Sequence, residues 1–279
     1  DAASRTGKGT FDVSLMDLAY FGDLLGIPIE GTLQAKADFD TTKDGGHVHA
    51  KGNAARVKSQ TVSVRELSFE ARVDDLIGLP KANGVLEAEG MTTGSHSIRK
   101  MRLTVSDDGA RTALKGTWNG TLFHETAFSG TITATGTVKT RLLSVSALEG
   151  TLGEYAFALE RPAGFTALDT RYALDTVELR FGNGRIAVRG AIEADNMEAW
   201  ISWKDFPLAM MALAGGPVVD GTITGEAAFQ GMANQPSGHV ECAVAGLQMA
   251  GVSESAPALD GNITAKLAGG TMALQAKIS

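Results

Sequence analysis

The residues able to do chemistry in this chain are few, and their spacing is poor for it. His47 and His49 are separated by one residue, which on a strand places both imidazoles on one face, a spacing that two metal ligands can share. No third ligand follows in phase, so no zinc or copper site is expected there. His96, His124 and His239 stand singly. The chain holds no Gly-x-Ser-x-Gly elbow, His-Glu-x-x-His pair, P-loop or dinucleotide fingerprint. Asp40–Gly46 has too few acidic positions for a calcium loop, and the glycine pairs at 181–184 and 214–216 read as a hairpin and a helix end. Carboxylates are dispersed and not paired. The residues point to no catalytic set, no enzyme activity and no cofactor.

What recurs instead is a strand pattern. Val, Leu, Ile, Phe and Ala alternate with Thr, Ser, Lys, Arg and Glu, often with Gly or Ala in the apolar phase. This period of two gives a sheet with one apolar and one wet face. Some 18–20 strands at 8–14-residue spacing predict an all-β fold. Asp107-Asp108-Gly109 and Asn183-Gly184 read as hairpin turns, and Asn119-Gly120 as a further turn. Side by side at ~4.8 Å, twenty strands make a sheet about 90 Å long, which must curl to cover its apolar face. A long open trough and a closed sandwich both satisfy that demand.

Two stretches look alike. Near residues 199–231 a strand, Ala199–Lys204, leads into Asp205-Phe206-Pro207. Asp205 is placed to cap a short helix that runs to Leu213, with Phe206, Met210 and Leu213 on one face. Gly221–Phe229 is the next strand. Near residues 11–40 the order repeats: Phe11–Leu15, a short helix over Asp17–Leu25, then Gly31–Phe39. Repetition on this scale predicts an elongated architecture with two short plug helices.

Composition sets outer limits. The chain has 279 residues with 34 glycines, about 12% against a typical ~7%. The glycines recur at strand starts and turns, which argues against disorder. A formal net charge of −7 with signs interspersed excludes a nucleic-acid partner of the usual basic kind. The single cysteine, Cys242, allows no internal disulfide and falls in the apolar phase. The longest uncharged stretch, Phe206–Val219, is too short to span a bilayer. The chain reads as one elongated β-groove segment, 1–279, of a longer protein.

At Trp203-x-Asp205-Phe206-Pro207-Leu208, followed by Val219-Asp-Gly-Thr-Ile-Thr-Gly225, Phe229-x-Gly231, Pro236-x-Gly238 and Gly246-Leu247, the pattern resembles the TamB family of translocation and assembly proteins, within the AsmA-like superfamily. Leu179–Gly190 resembles a family hairpin closing on glycine, and Asp17–Phe39 is a looser match. The resemblance implies a β-taco, a folded sheet with an apolar interior. It also implies an envelope protein of the periplasm of diderm bacteria, anchored in the inner membrane by a segment outside this stretch. Its ligand would be phospholipid carried between the membranes, and its partner an Omp85-family barrel in outer-membrane protein assembly.

On this reading the groove-lining residues are Leu33, Phe39, Phe69, Leu179, Ile186, Val188, Ile223, Phe229, Val240 and Val244. Small residues between them, such as Gly225 and Ala227 beside Ile223 and Phe229, would leave room for acyl chains. Two other readings stand beside it. One is a structural or adhesin-type β-protein with a dry, filled core. The other is a β-helical hydrolase, which would need paired carboxylates in a cleft.

Overall fold

The structure is a computed structural model of the whole chain. It describes residues 6–20, 28–42, 45–76, 81–94, 96–122, 126–137, 141–168, 170–213, 216–232, 234–249, 257–268 and 271–278. The chain divides into two compact units, Asp1–Val138 and Lys139–Ser279. Both are antiparallel β-sheet, as the alternation predicts, and the strands are longer than the sequence spacing implied.

The first unit is a meander. β1 (Gly7–Leu15), β2 (Ile29–Thr42), β3 (Gly45–Ser59), β4 (Ser63–Asp74), β5 (Lys81–Thr93), β6 (His96–Asp107), β7 (Thr112–Leu122) and β8 (Thr126–Thr137) pair in consecutive order, β1 with β2 through β7 with β8. Between β6 and β7 the Asp108 carboxylate accepts from the N–H groups of Ala110 and Arg111, which holds the turn and keeps its pKa below the usual carboxylate range. Asn119-Gly120 makes no turn. Both residues lie inside β7, where Asn119 opposes Ser129 and Gly120 opposes Phe128. Glycine is required there for a different reason. β6 bulges between Ile98 and Lys100, and a Cβ at Gly120 would fall 2.0 Å from the Ser97 carbonyl oxygen.

The second unit holds β9 (Leu142–Leu152), β10 (Tyr155–Leu159), β11 (Ala163–Leu168), β12 (Arg171–Phe181), β13 (Gly184–Glu193), β14 (Asn196–Pro207), β15 (Val219–Met232), β16 (Gln235–Met249), β17 (Leu259–Ala268) and β18 (Thr271–Ile278). β10 and β11 share one position between β9 and β12, interrupted at Pro162, which has no N–H for a ladder. The hairpin from β12 to β13 turns on Gly182-Asn183, one residue earlier than the Asn-Gly pair predicts, because Gly182 takes the left-handed φ of 55° and Gly184 already pairs with Phe181.

The expected helix from Asp205 is corrected. Asp205 sits in a bulge of β14 with φ 49°, and its N–H donates to Thr224 Oγ1 at 2.9 Å. That bond keeps the chain in the sheet up to Pro207, which opposes Thr222. Helix α1 is only Met210–Leu213. Phe206 therefore packs edge-on against Phe181, ring centroids 5.8 Å apart, and not along a helix face with Met210 and Leu213. At the first unit, Asp17 Oδ1 accepts from Ala19 N and residues 19–20 are helical. Asp17 and Leu18 precede the helical residues, and residues 21–25 of the expected Asp17–Leu25 helix lie outside the described residues.

The two stretches nonetheless correspond at atomic detail. β2 and β15 are 14 residues each, and β3 and β16 are 15 each. Gly221 lies 190 positions after Gly31 (221 − 31), and the same offset takes every one of these strand boundaries onto its counterpart. Leu18 N donates to the Gly31 carbonyl at 2.8 Å, and Leu208 N to the Gly221 carbonyl at 2.9 Å. Both leucines are buried. Both glycines have positive φ, 129° and 118°, at a register shift against the next strand. There, Arg56 (φ 53°) and Gly246 (φ 66°) occupy equivalent left-handed positions.

These positions make different demands. A Cβ at Gly221 would meet two backbone oxygens at 2.8 Å, whereas nothing lies within 4 Å of one at Gly246. Gly246→Ala is therefore expected to cost about 1–2 kcal/mol, the left-handed penalty alone. Gly221→Ala should cost clearly more by urea denaturation, and equal losses for the two variants would refute the assignment.

Candidate functional site

The apolar phase of each unit assembles into rows that run across the strands, because directly opposed residues share a face. In the first unit one row is Val13, Ala35, Gly52, Phe69, Leu86, Leu103, Gly116 and Ile132. The next is Leu15, Leu33, Ala54, Leu67, Ala88, Met101, Trp118 and Gly130. Phe39 begins a third with Gly9, Val48, Val73 and Ala82. The opposite face reads Ser14, Gln34, Asn53, Ser68, Glu87, Arg102, Thr117 and Thr131.

The second unit is built the same way. Leu179, Ile186, Trp203, Gly225, Cys242 and Ile263 form one row, and Val188, Ile201, Ala227, Val240 and Ala265 the next. Phe206, Ile223 and Val244 stand in line, as do Ala199, Phe229 and Gly238. All seven candidates of this unit thus share one face, and Leu33, Phe39 and Phe69 share one face of the first unit.

The candidate set leaves out Trp118, Trp203, Leu67 and Met101, which occupy the same rows. Period-two counting from Ala199 through Ile201 reaches Trp203 without further information. Its indole Nε1 is buried without a hydrogen-bond partner. Trp200, one phase away, lies on the polar face, where Arg189 stacks 4.9 Å above its ring.

The face is half covered. Among the described residues no large side chain is fully buried, although Ala88 and Ala134 are. All ten candidate residues remain partly accessible, and Phe39 is 40% exposed. An apolar sheet face of this extent is unusual on a protein surface with nothing to bind.

The expected room beside the small residues is filled. A Cβ on Gly52 would lie 2.8 Å from the Phe69 ring, one on Gly9 2.5 Å from Phe39, and one on Gly238 2.6 Å from Phe229. Each glycine lets a cross-strand ring lie flat on the sheet. Over Gly225 the space is taken by Cys242 and the Glu241 carbonyl, at 2.6 and 2.2 Å. Small residues here level the surface and do not hollow it. Burial raises the Cys242 thiol pKa, so the group stays an uncharged member of the row.

The polar faces hold the titratable groups. His49 Nε2 lies 2.8 Å from Glu70 Oε1, and His47 is opposed by Asp40 and Asp74. Asp40 is taken by Lys8 at 2.6 Å, and Asp74 by Arg72 at 3.0 Å. Among the described residues no three His, Cys, Asp or Glu side chains gather as a metal site. A hollow of about 620 Å³ opens mainly on the polar face of the first unit, between Gln34, Lys36, Lys51 and Asn53. Most of its lining side chains are polar, and Val13, Ala35, Gly52 and Phe69 of the first apolar row also border it. No helix among the described residues is long and apolar enough to cross a membrane. Compared with protein-family models, curated proteins and solved structures, the chain matches none.

Proposed function

We propose that the apolar face carries the acyl chains of phospholipid, in a non-enzymatic, TamB/AsmA-like conduit of the diderm periplasm. On this proposal the chain is part of a bridge between inner and outer membranes that works with an Omp85-family barrel. The observation that carries the reading is the half-covered apolar face in each unit. Leu33, Phe39 and Phe69 contribute to one, and Ile186, Val188, Ile223 and Val240 to the other. Each methylene laid on such a surface is worth about 0.8 kcal/mol, so a chain binds by many small increments with no single anchor. A level surface, with rings flat over glycines, lets those increments exchange one for the next.

A second reading, a structural β-protein whose apolar faces are packed dry, is favoured by the same rings, since they fill space that an acyl chain would use. Native mass spectrometry separates the two. Protein purified from a diderm host without delipidation is expected to carry phospholipid, released by detergent exchange. Lipid-free protein under those conditions would refute the conduit.

A further inference from the structure

We infer that the polar hollow of the first unit binds an anionic sugar, its phosphate or carboxylate held between Lys36 and Lys51. The two lysines oppose each other directly across β2 and β3, and both are exposed. Like charges in that relation destabilise a strand pair. Elsewhere in the unit such a pair is bridged from within the protein. Glu66 opposes Glu89, and Arg65 reaches both, at 4.0 and 3.1 Å. Among the described residues nothing bridges the lysines. Lys36 reaches Asp38 at 4.0 Å, and Lys51 makes no ion pair or side-chain hydrogen bond there. The group that would complete the arrangement is an oxyanion.

The strand frame itself does not call for lysine. The 190-residue offset carries Lys36 and Lys51 onto Glu226 and Glu241, which oppose each other in the same way across β15 and β16. Glu226 already accepts from the Trp200 indole N–H at 3.4 Å, so that pair is partly used inside the fold. The lysines instead stand in the hollow of about 620 Å³. Beside them Ser14, Gln34, Asn53 and Ser68 follow one another in a cross-strand row and line the same hollow. None of these four side chains has a hydrogen-bond partner among the described residues. Hydroxyls and amides both donate and accept, as a polyhydroxylated body requires, whereas ammonium groups only donate.

Three carboxylates also line the hollow. Glu70, opposite Lys51, is held by His49 at 2.8 Å, and Glu87 is held by Arg102. Asp12 opposes Lys36 from β1, on the side away from Lys51, and makes no ion pair among the described residues. Asp12 is left to repel an anion, so Asp12→Asn should tighten binding several-fold.

The test is calorimetric titration of the 279-residue chain with glucose 1-phosphate, glucuronate, glucose and inorganic phosphate. An anionic sugar is expected to bind one to one, and the tighter of the two names the oxyanion. Glucose and inorganic phosphate each lack half of the contacts and should bind at least about tenfold more weakly. Lys36→Gln and Lys51→Gln should each weaken the anionic sugar about tenfold, and Lys51→Arg less. Because each Gln variant removes a like-charge repulsion, neither should lower Tm.

No binding of either anionic sugar, equal binding of glucose or of inorganic phosphate, or a Tm several degrees lower in the Gln variants would overturn the inference. It does not rest on the lipid reading. The lysines lie on the face opposite Leu33 and Phe69, and protein stripped of lipid by detergent exchange should bind the sugar equally.

Discussion

Gly120→Ala is expected to lose about 3 kcal/mol of stability, while Gly116→Ala, four residues earlier on the same strand, loses about 1 kcal/mol or less. Both glycines face the apolar side of β7, and neither has positive φ, so conformational strain does not separate them. What separates them is the identity of the neighbour. At Gly116 a methyl would meet Ile132 Cγ2 and Leu103 Cδ2, each at 2.8 Å, and both are the ends of side chains that can turn away. At Gly120 it would meet the Ser97 carbonyl oxygen at 2.0 Å and Ile98 Cα at 2.8 Å, which are backbone of the neighbouring strand. Relief there means separating β6 from β7 at the bulge. For a unit of this size the larger loss lowers Tm by about 10 °C. Matched melting temperatures for the two variants would show that the close approach of β6 at Gly120 is not a feature of the folded protein.

The second large effect concerns the apolar face itself. Ile223→Glu is expected to abolish bound phospholipid while lowering stability by only about 1–2 kcal/mol. Ile223 lies between Phe206 and Val244 and is half-buried, so a carboxylate at its end can stay hydrated when no lipid covers it. With a lipid present the same carboxylate would be desolvated against hydrocarbon, and the lipid leaves instead. In a dry, filled interior no such escape exists, and the charge should unfold the unit. Ala243→Glu is the control, because Ala243 opposes Thr224 on the other face and is exposed. It should change neither melting temperature nor lipid content. An Ile223→Glu protein that fails to fold, from a wild type that carries no lipid, would end the conduit reading.

Strand alternation alone determined the fold class, the partition into an apolar and a polar face, and the membership of every candidate residue in the apolar phase. That follows because the side-chain period of a strand is fixed at two, so Ile223 and Phe229 must share a face wherever the strand goes. The likeness of the two stretches was also legible, through Gly31-Thr32-Leu33 and Gly221-Thr222-Ile223.

Three things depended on tertiary pairing. Asn119-Gly120 has the composition of a turn, but the bulge of β6 needs a glycine at its closest approach, and that need comes from a strand some twenty residues away. Asp205 has the composition of a helix cap, but the Thr224 hydroxyl on β15 holds its N–H and keeps the chain in the sheet. The small residues promised empty space along each strand, and neighbouring strands occupy it, with rings over Gly9, Gly52 and Gly238 and with Cys242 and the Glu241 carbonyl over Gly225. Periodicity reports which way a side chain points, while what meets it there is set by register, which is a property of two strands and not of one.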